Sequence, residues 1–397
     1  MNGFNLSDIT DAKLGTTTLG SIYLGSTKLW PLGTDYSKEY FTIEALKNTT
    51  IRLNKNTTSG KKRSVAFSRN GKTWSSLVTQ GDRLDYEYDN VELSAGEKIY
   101  IRASDWSNVT TSDYAYFTSS SNINVYGNAN SIIDINFKTR NIMRKYMFYK
   151  LFYELPIVDA SNLVLPSAPG DYSYQSMFEN CAQLVYPPKT LSGTKVGLYG
   201  CSDMFRGCSS LIDVPDLPAT TLDGYAYSEM FQNCTSLTVL PKLNHITTIT
   251  YWAPFRYTFS GCQSIKDARW DKYGGRLLPN HLTVTGGGSA YELMFSSCSG
   301  LKYAPELTET SPHNGEYNNM FAYCTSLYTL ITHATSLGSN YFSNIVTGTG
   351  KRGTVRQASD VTWDSAQYKQ FTYSGSGSSA QMWGVSTGDY ISGDYQT

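Results

Sequence analysis

The chain has 397 residues, room for two to four domains at about 150 residues each and too long for a small disulfide-stapled peptide. Lys plus Arg and Asp plus Glu each number 33, so no net field draws the chain to nucleic acid or to an anionic membrane surface. Charged residues make up 17% while Tyr alone contributes 31, the reverse of a disordered composition.

The first 35 residues contain ITDAKLGTTTLGSIYLGSTKLWPLG, two alternating strands broken by glycines, with Ile22, Tyr23, Leu24, Leu29 and Trp30 as their large apolar and aromatic positions. An isolated hairpin is marginal in water, so this segment is expected to dock on the next domain or on another subunit. The opening twenty residues show no basic n-region and no apolar h-region, and no run of about 18 apolar residues follows, so neither a cleaved export signal nor a membrane span is expected. The wording SIYLGSTKLWP is similar to short N-terminal segments of phage tail and fibre proteins, a resemblance that implies attachment to a particle.

Residues 36–132 read as strands: EYFTIEAL, TTIRLN, RSVAFSRNGKTWSSL, EKIYIRASDW and YAYFTSSSNINVYGN. Their spacing of about ten residues predicts a β-sandwich, with a type I′ hairpin at Asn70-Gly71. Residues 136–150 carry Lys138, Arg140, Arg144, Lys145 and Lys150 without an acid, which reads as the solvated face of a capping helix rather than a nucleic-acid patch.

From there the chain repeats. MFENCAQL, MFRGCSSL, MFQNCTSL, TFSGCQSI, MFSSCSGL and MFAYCTSL centre on Phe178, Phe205, Phe231, Phe259, Phe295 and Phe321, at intervals of 27, 26, 28, 36 and 26. One step upstream, LFYELPIV at Phe152 makes a seventh, degenerate repeat. Taking each Phe as slot 0, slot +3 holds Cys181, Cys208, Cys234, Cys262, Cys298 and Cys324, with Leu155 in the first repeat. Slot −4 is Phe148, Tyr174, Cys201, Tyr227, Phe255, Tyr291 and Tyr317, which places the seventh cysteine. Apolar residues at slots −4, 0, +3 and +6 follow one helical face, so each repeat is expected to open with a two-turn helix. Pro- and Thr-rich stretches such as TVLPKL then supply a short strand and a return loop. A unit of about 26 residues cannot bury its own apolar side, so the units must stack. The cysteines are expected to be buried thiols acting as small apolar residues, with Ala tolerated better than Ser in their place. They show no C-x-x-C pair and no His at ligand spacing, so neither zinc nor any other cofactor is expected.

The repeat phrase, with P-x-L-P-A-T-T-L at Pro215 to Leu222, resembles BspA-type (Treponema-type) leucine-rich repeats, in the variant common in gut Bacteroidales and their crAss-like phages. The resemblance spans residues 140 to 350 and weakens at Leu155, at Thr258 and in the long fifth interval. The expected organisation is therefore a multidomain, β-rich chain. Residues 1–35 form an attachment segment of β-hairpin character and 36–132 a β-sandwich. Residues 133–350 form an α/β leucine-rich-repeat solenoid of about seven repeats, and 351–397 a C-terminal cap and Gly/Ser-rich tail.

No catalytic motif emerges. The four histidines His245, His281, His313 and His333 lie in no hydrolase or metalloprotease setting, GTGKRGT at 347–353 lacks P-loop spacing, and GGGS at 286–289 reads as a turn. The carboxylate pairs Asp213/Asp216 and Glu306/Glu309 fall in loops, where solvation is expected. Two features suggest binding instead. Slot −6 holds Tyr146, Tyr172, Tyr199 and Tyr225, either a glycan-stacking ladder or core. The fifth interval holds Arg269, Trp270, Tyr273 and Arg276, with Trp252 and Arg256 just before it, a composition found at interface anchors or in local packing.

Taken with the resemblance, these features imply a non-enzymatic virion structural protein, a head or tail fibre or similar appendage. It would be made in the bacterial host cytoplasm, carried on the virion surface, and would bind a host-surface glycan or protein. Its partners would be other virion proteins and copies of itself, a trimer by the resemblance, with no nucleic acid and no membrane insertion. A BspA-like bacterial adhesin and a polysaccharide depolymerase are the alternatives.

Overall fold

The structure, a computed structural model, describes residues 35–56, 64–78, 90–105, 113–141, 143–335, 342, 344–349 and 354–357, together with the backbone of short strands nearer the two ends. Among these residues the helices are two short 3-10 turns, Tyr36–Lys38 and Ala129–Ile132, and the rest of the regular structure is β.

Near the N-terminus, β1 (Lys13–Leu14) pairs antiparallel with β2 (Thr17–Thr18), and β3 (Ile22–Leu24) with β4 (Thr27–Trp30). Ile22, Tyr23 and Leu24 belong to β3 and Leu29 and Trp30 to β4; their side chains lie outside the described residues.

The next block is two facing sheets. Strands β5 (Phe41–Ala45), β7 (Ser64–Ser68), β8 (Ser75–Val78), β10 (Lys98–Asp105) and β12 (Ile123–Asn128) run in the order β12-β5-β10-β7-β8. Strands β6 (Thr49–Asn56), β9 (Asn90–Leu93) and β11 (Tyr114–Ser119) run in the order β11-β6-β9. Alternation buries Phe41, Ile43 and Ala45 on one side and Ile51 and Leu53 on the other, and the Phe41 and Phe117 rings meet 6.0 Å apart. The Asn70-Gly71 hairpin forms between β7 and β8, but its turn is not type I′. Gly71 has positive φ and Asn70 does not; the Asn70 amide oxygen instead accepts the Lys72 and Thr73 N–H groups, each at 2.9 Å.

The sandwich runs into the repeats without a break in the core. β12 pairs parallel with β13 (Ile157–Asp159) and β14 (Leu163–Val164), the Phe117 N–H donates to the Leu151 carbonyl, and the Phe152 ring stacks on Phe41 at 5.4 Å.

The repeats stack as parallel coils, but the helix predicted at the start of each does not form. In coil 1 the N–H groups of Tyr146, Phe148, Lys150, Phe152 and Glu154 donate to the carbonyls of Asp171, Ser173, Gln175, Met177 and Glu179 in coil 2. The intervening N–H groups close overlapping four-residue turns, as Tyr149 to Tyr146 and Leu151 to Phe148. The same five slots, −6 to +2, donate at every junction through Ser289–Ser297, at 2.7–3.2 Å. Slots −6, −2 and +2 are left-handed throughout, as at Tyr172 (φ 55), Ser176 (φ 57) and Asn180 (φ 61). The α/β solenoid expected from the sequence is thus replaced by a β-rich one in which a ribbon of turns takes the helix's place.

Spacing explains why the helix loses. Paired strands stand about 4.8 Å apart, whereas packed helices need 8–10 Å and consume their own N–H groups. The turn ribbon keeps the strand spacing and offers every second N–H to its neighbour. Because the ribbon also repeats every four residues, it turns slots −4 and 0 inward and imitates a helical period. The capping helix expected over 136–150 is likewise absent: Lys138, Arg140, Arg144, Lys145 and Lys150 sit in turns and irregular chain, with Arg140 3.5 Å from Asp134 and Lys150 4.0 Å from Glu179.

After each ribbon comes an extended leg. β15 (Lys195–Val196), β16 (Thr221–Leu222), β17 (Thr248–Ile249) and β18 (Thr283–Val284) form one parallel sheet; β19 (Thr329–Thr332) and β20 (Thr354–Gln357) extend the pattern, and β20 pairs with β23 (Gly384–Thr387). β21 (Thr372–Ser374) and β22 (Ala380–Met382) pair antiparallel. There is also an eighth ribbon. Phe321 and Tyr323 donate to Ile345 and Thr347, which puts Phe342 in slot −4, Val346 in slot 0 and Thr349 in slot +3.

Candidate functional site

Slot 0 builds a fully buried column, Phe152, Phe178, Phe205, Phe231, Phe259, Phe295 and Phe321, with ring centroids 5.2–5.9 Å apart. The slot +3 cysteines are free and buried, yet they are not simply small apolar residues. Each thiol donates to the carbonyl of the preceding coil's Phe: Cys181 to Phe152, Cys208 to Phe178, Cys234 to Phe205, Cys262 to Phe231, Cys298 to Phe259 and Cys324 to Phe295, at 3.0–3.1 Å. Leu155 occupies this slot in coil 1, where no coil precedes. Thr258, the odd residue of its repeat, uses the same device, its hydroxyl donating to the Tyr227 carbonyl at 2.9 Å. The carbonyl that accepts each thiol is also a candidate acceptor for a Ser hydroxyl in slot +3, so Ser rather than Ala becomes the replacement expected to be tolerated better.

Slot +2 shows a second rule. A Cβ on Gly207 would lie 2.3 Å from the Asn180 amide oxygen, and one on Gly261 2.2 Å from that of Asn233. The alternation of Asn and Gly in MFENC, MFRGC, MFQNC and TFSGC is steric, since each Asn amide covers the next coil's α-carbon.

The Tyr146, Tyr172, Tyr199 and Tyr225 ladder lies on the rim, half-buried, with centroids 4.7, 5.1 and 4.7 Å apart. Its inner faces are taken by its own members, leaving edges and hydroxyls outward, and burial pushes the Tyr172 and Tyr199 hydroxyls up in pKa. Beside it runs an ionic ladder the sequence did not disclose, in which Arg206 lies 3.2 Å from Asp203 and 3.0 Å from Glu229, and Arg256 3.1 Å from Glu292. Partial burial raises the Glu179 and Glu229 carboxyls in this row. Arg256 thus serves coil-to-coil pairing, and Trp252 lays its indole over Gly287, where a Cβ would meet the ring at 2.8 Å.

The extra length of coil 5 falls wholly in its leg, and the ribbon register passes it undisturbed. Trp270 and Arg276 bridge antiparallel to close a hairpin, held by Asp271, whose carboxylate accepts the Tyr273 and Gly275 N–H groups at 2.8 and 3.0 Å. This hairpin clasps earlier coils. The Lys272 N–H donates to Leu240, its ammonium reaches the Val214 carbonyl at 2.8 Å and Asp216 at 2.9 Å, and the Tyr273 hydroxyl donates to Asp216 at 2.5 Å. Burial raises the pKa of the Asp216 carboxyl, but the hydrogen bonds from Tyr273 and Lys272 outweigh it and hold the group below its ordinary value. In the forward direction Arg276 pairs with Glu306 at 3.1 Å, and His333 joins the same carboxylate at 2.6 Å. The carboxylates read as solvated are therefore engaged: Asp216 and Glu306 as described, and Glu309 buried 2.9 Å from His281.

Trp270 and Tyr273 keep 46% and 64% of their surface exposed. Trp252 and Arg256 belong to the ribbon side of coil 5, covering Gly287 and pairing with Glu292, whereas Trp270, Tyr273 and Arg276 belong to the clasp in its leg. The five residues thus fall into two places. Among the described residues no three of His, Cys, Asp and Glu converge as a metal site requires. Neither a family model, nor a curated protein, nor a solved structure matches this chain.

Proposed function

We propose that the protein is a non-enzymatic virion surface protein of a phage, held to the particle through residues 1–35 and displaying its coils to bind a host-surface glycan or protein. The virion assignment rests on the wording of the N-terminal segment and of the repeats. The observation that carries the binding role is the pair of exposed rings, Trp270 and Tyr273, on a clasp whose backbone is anchored to neighbouring coils. Stacking consumes the ribbon, whereas the clasp presents two aromatic plates on a fixed frame, the arrangement recognition surfaces use.

Deleting residues 1–35 tests the attachment: the truncated chain is expected to fold and to be missing from purified particles, and normal incorporation would overturn the reading. Trp270→Ala with Tyr273→Ala tests the binding face, with adsorption to host cells expected to fall while the melting temperature stays. Recovery of the protein on the outer surface of cells that carry no phage genome would favour the adhesin instead, and clearing of capsular polysaccharide by the purified chain would make it a depolymerase.

A further inference from the structure

The basic run at residues 136–150 is absorbed neither by the coils nor by the clasp. Part of it lines a cleft of about 620 Å³ where the end of the sandwich meets the first leg, a volume in the range of small-ligand sites. Three stretches wall it: residues 37–38 before β5, residues 138–141 after the second 3-10 turn, and residues 164–167. Hydrogen bonds tie these walls in pairs. The Asn128 amide donates to the Ser37 carbonyl at 2.9 Å and accepts the Asn130 N–H, while the buried Asn130 amide donates to the Arg140 carbonyl at 3.1 Å. The Lys38 ammonium donates to the Lys138 carbonyl at 2.9 Å, two residues from Arg140, and Asn141 joins Ser167 through both ends of its amide. The spacing of Lys38 and Arg140 is thereby set by backbone that buried amides hold in place.

The charge at this mouth is one-sided. Lys38, Lys138 and Arg140 line the cleft and are exposed, and no Asp or Glu lines it. The carboxylates close by in the chain are engaged: Asp35 accepts the N–H and hydroxyl of Ser37, and Asp134 accepts the Asn136 N–H at 2.9 Å. Arg140 meets Asp134 at 3.5 Å through one terminal nitrogen, a charge contact rather than a hydrogen bond, and 60% of its side chain is exposed. Its forked donors are left for a ligand. The Lys138 ammonium, 5.4 Å from the Tyr40 ring centre, adds to the positive field.

Composition narrows the ligand. Beside the cations stand hydroxyl and amide groups, Thr139, Asn141 and Ser167, and the half-buried Val164. Inorganic phosphate would use the charge and leave these groups idle. A nucleic-acid strand needs a ring on which to stack its bases, and the aromatic residue of the lining, Phe137, is buried. A ligand that is anionic at one point and carries hydroxyls and C–H groups elsewhere uses all of them. We propose that this cleft binds a carboxylated sugar residue of a glycan, its carboxylate on Arg140 and Lys38 and its hydroxyls on Thr139, Asn141 and Ser167. The site is separate from the clasp and does not depend on where the protein is carried.

Isothermal titration calorimetry on the full chain tests it, with digalacturonate and sialyllactose as probes, galactobiose and lactose as their neutral counterparts, and inorganic phosphate and oligothymidylate as competing anions. At least one acidic sugar is expected to bind, more weakly as salt rises, and neither neutral sugar. Arg140→Gln should weaken binding about tenfold and Lys38→Met by a smaller factor, since both side chains are exposed and their loss leaves the buried amides in place. Trp270→Ala with Tyr273→Ala should leave binding unchanged. No binding of either acidic sugar, equal binding of a neutral counterpart, tighter binding of phosphate or oligothymidylate, or full affinity in folded Arg140→Gln or Lys38→Met would overturn the proposal. Failure of the clasp variants to adsorb to host cells bears only on the function proposed above.

Discussion

Along coil 4, every second N–H from Tyr225 to Asn233 is bonded to coil 5, the Phe231 ring lies between those of Phe205 and Phe259, and Cys234 reaches back to coil 3. In the leg of coil 5, by contrast, a ten-residue excess folds into a clasp whose two largest rings face solvent. The ribbon admits no change of length, because one inserted residue would exchange its outward and inward N–H groups for the rest of the row. The leg tolerates insertion because its register contacts are short, two-residue strands and single bridges such as Asp267 to Tyr303, with unpaired chain between them. Invariance and novelty are thus assigned to opposite sides of the same coil, and the variable side is where recognition can be added without cost to the stack.

Breaking the ribbon should have the largest effects. Phe231→Ala is expected to cost about 3–5 kcal/mol by chemical denaturation, as truncation of a fully buried aromatic does; a loss below about 1 kcal/mol would mean the column is not the core. Gly261→Ala comes next, at about 1–3 kcal/mol, because its Cβ would meet the Asn233 amide. Adding Asn233→Gly should recover much of that loss, and strict additivity of the pair would refute the steric rule. Cys234→Ala should cost about 1–2 kcal/mol and Cys234→Ser less, since Ser keeps a donor for the Phe205 carbonyl. The same burial raises the thiol pKa of Cys181, Cys201 and Cys234, so a thiol reagent should label the protein only after denaturation.

The leg side should respond weakly. Trp270→Ala and Tyr273→Ala are expected to shift stability by no more than about 0.5 kcal/mol, and a large loss would reassign both to packing. Asp216→Asn should cost below about 1 kcal/mol near neutral pH, because the carboxylate is still partly exposed and solvent screens its pairing. Its depressed pKa fixes the sign: the contribution is complete above the ordinary value of 3.8 and is lost as pH falls through the folded-state value, so the variant and the parent should converge in acid. The smallest effect is at His313, where the hydrogen bond to Glu316 raises the imidazole pKa. That contribution is complete below pH 6.5 and lost as pH rises through the raised value, so His313→Gln should matter less in mildly alkaline than in mildly acidic buffer, read as melting temperature against pH.

The repeat, its phase and its inward slots were legible in the chain itself, because a phrase that recurs about every 26 residues with Phe, Cys and Leu in constant places has few ways to bury them. The alternating strands of residues 36–132 were legible for the same reason. The turn ribbon is far less legible, although it leaves a signal. Asn180, Gly207, Asn233 and Gly261 occupy one slot, and Asn and Gly are the residues that enter the left-handed region most readily. That signal is weak beside the apolar period, and Tyr and Glu in equivalent left-handed slots hide it. The eighth ribbon escaped because Val346 and Thr349 replace Phe and Cys, leaving only Phe342 in an expected aromatic slot.

The sequence by itself determined that the chain repeats, which positions face inward and where the extra length falls, since these follow from spacing and hydrophobicity alone. Tertiary structure alone decided that the inward positions ride on turns rather than helices, because the choice depends on what the next coil's carbonyls can accept at strand spacing. It also decided the Cys partner, the Asn–Gly cover and the Asp216 clasp. Each joins residues from separate strands or successive coils, and a distance across that gap is set by register, which no local stretch of sequence encodes.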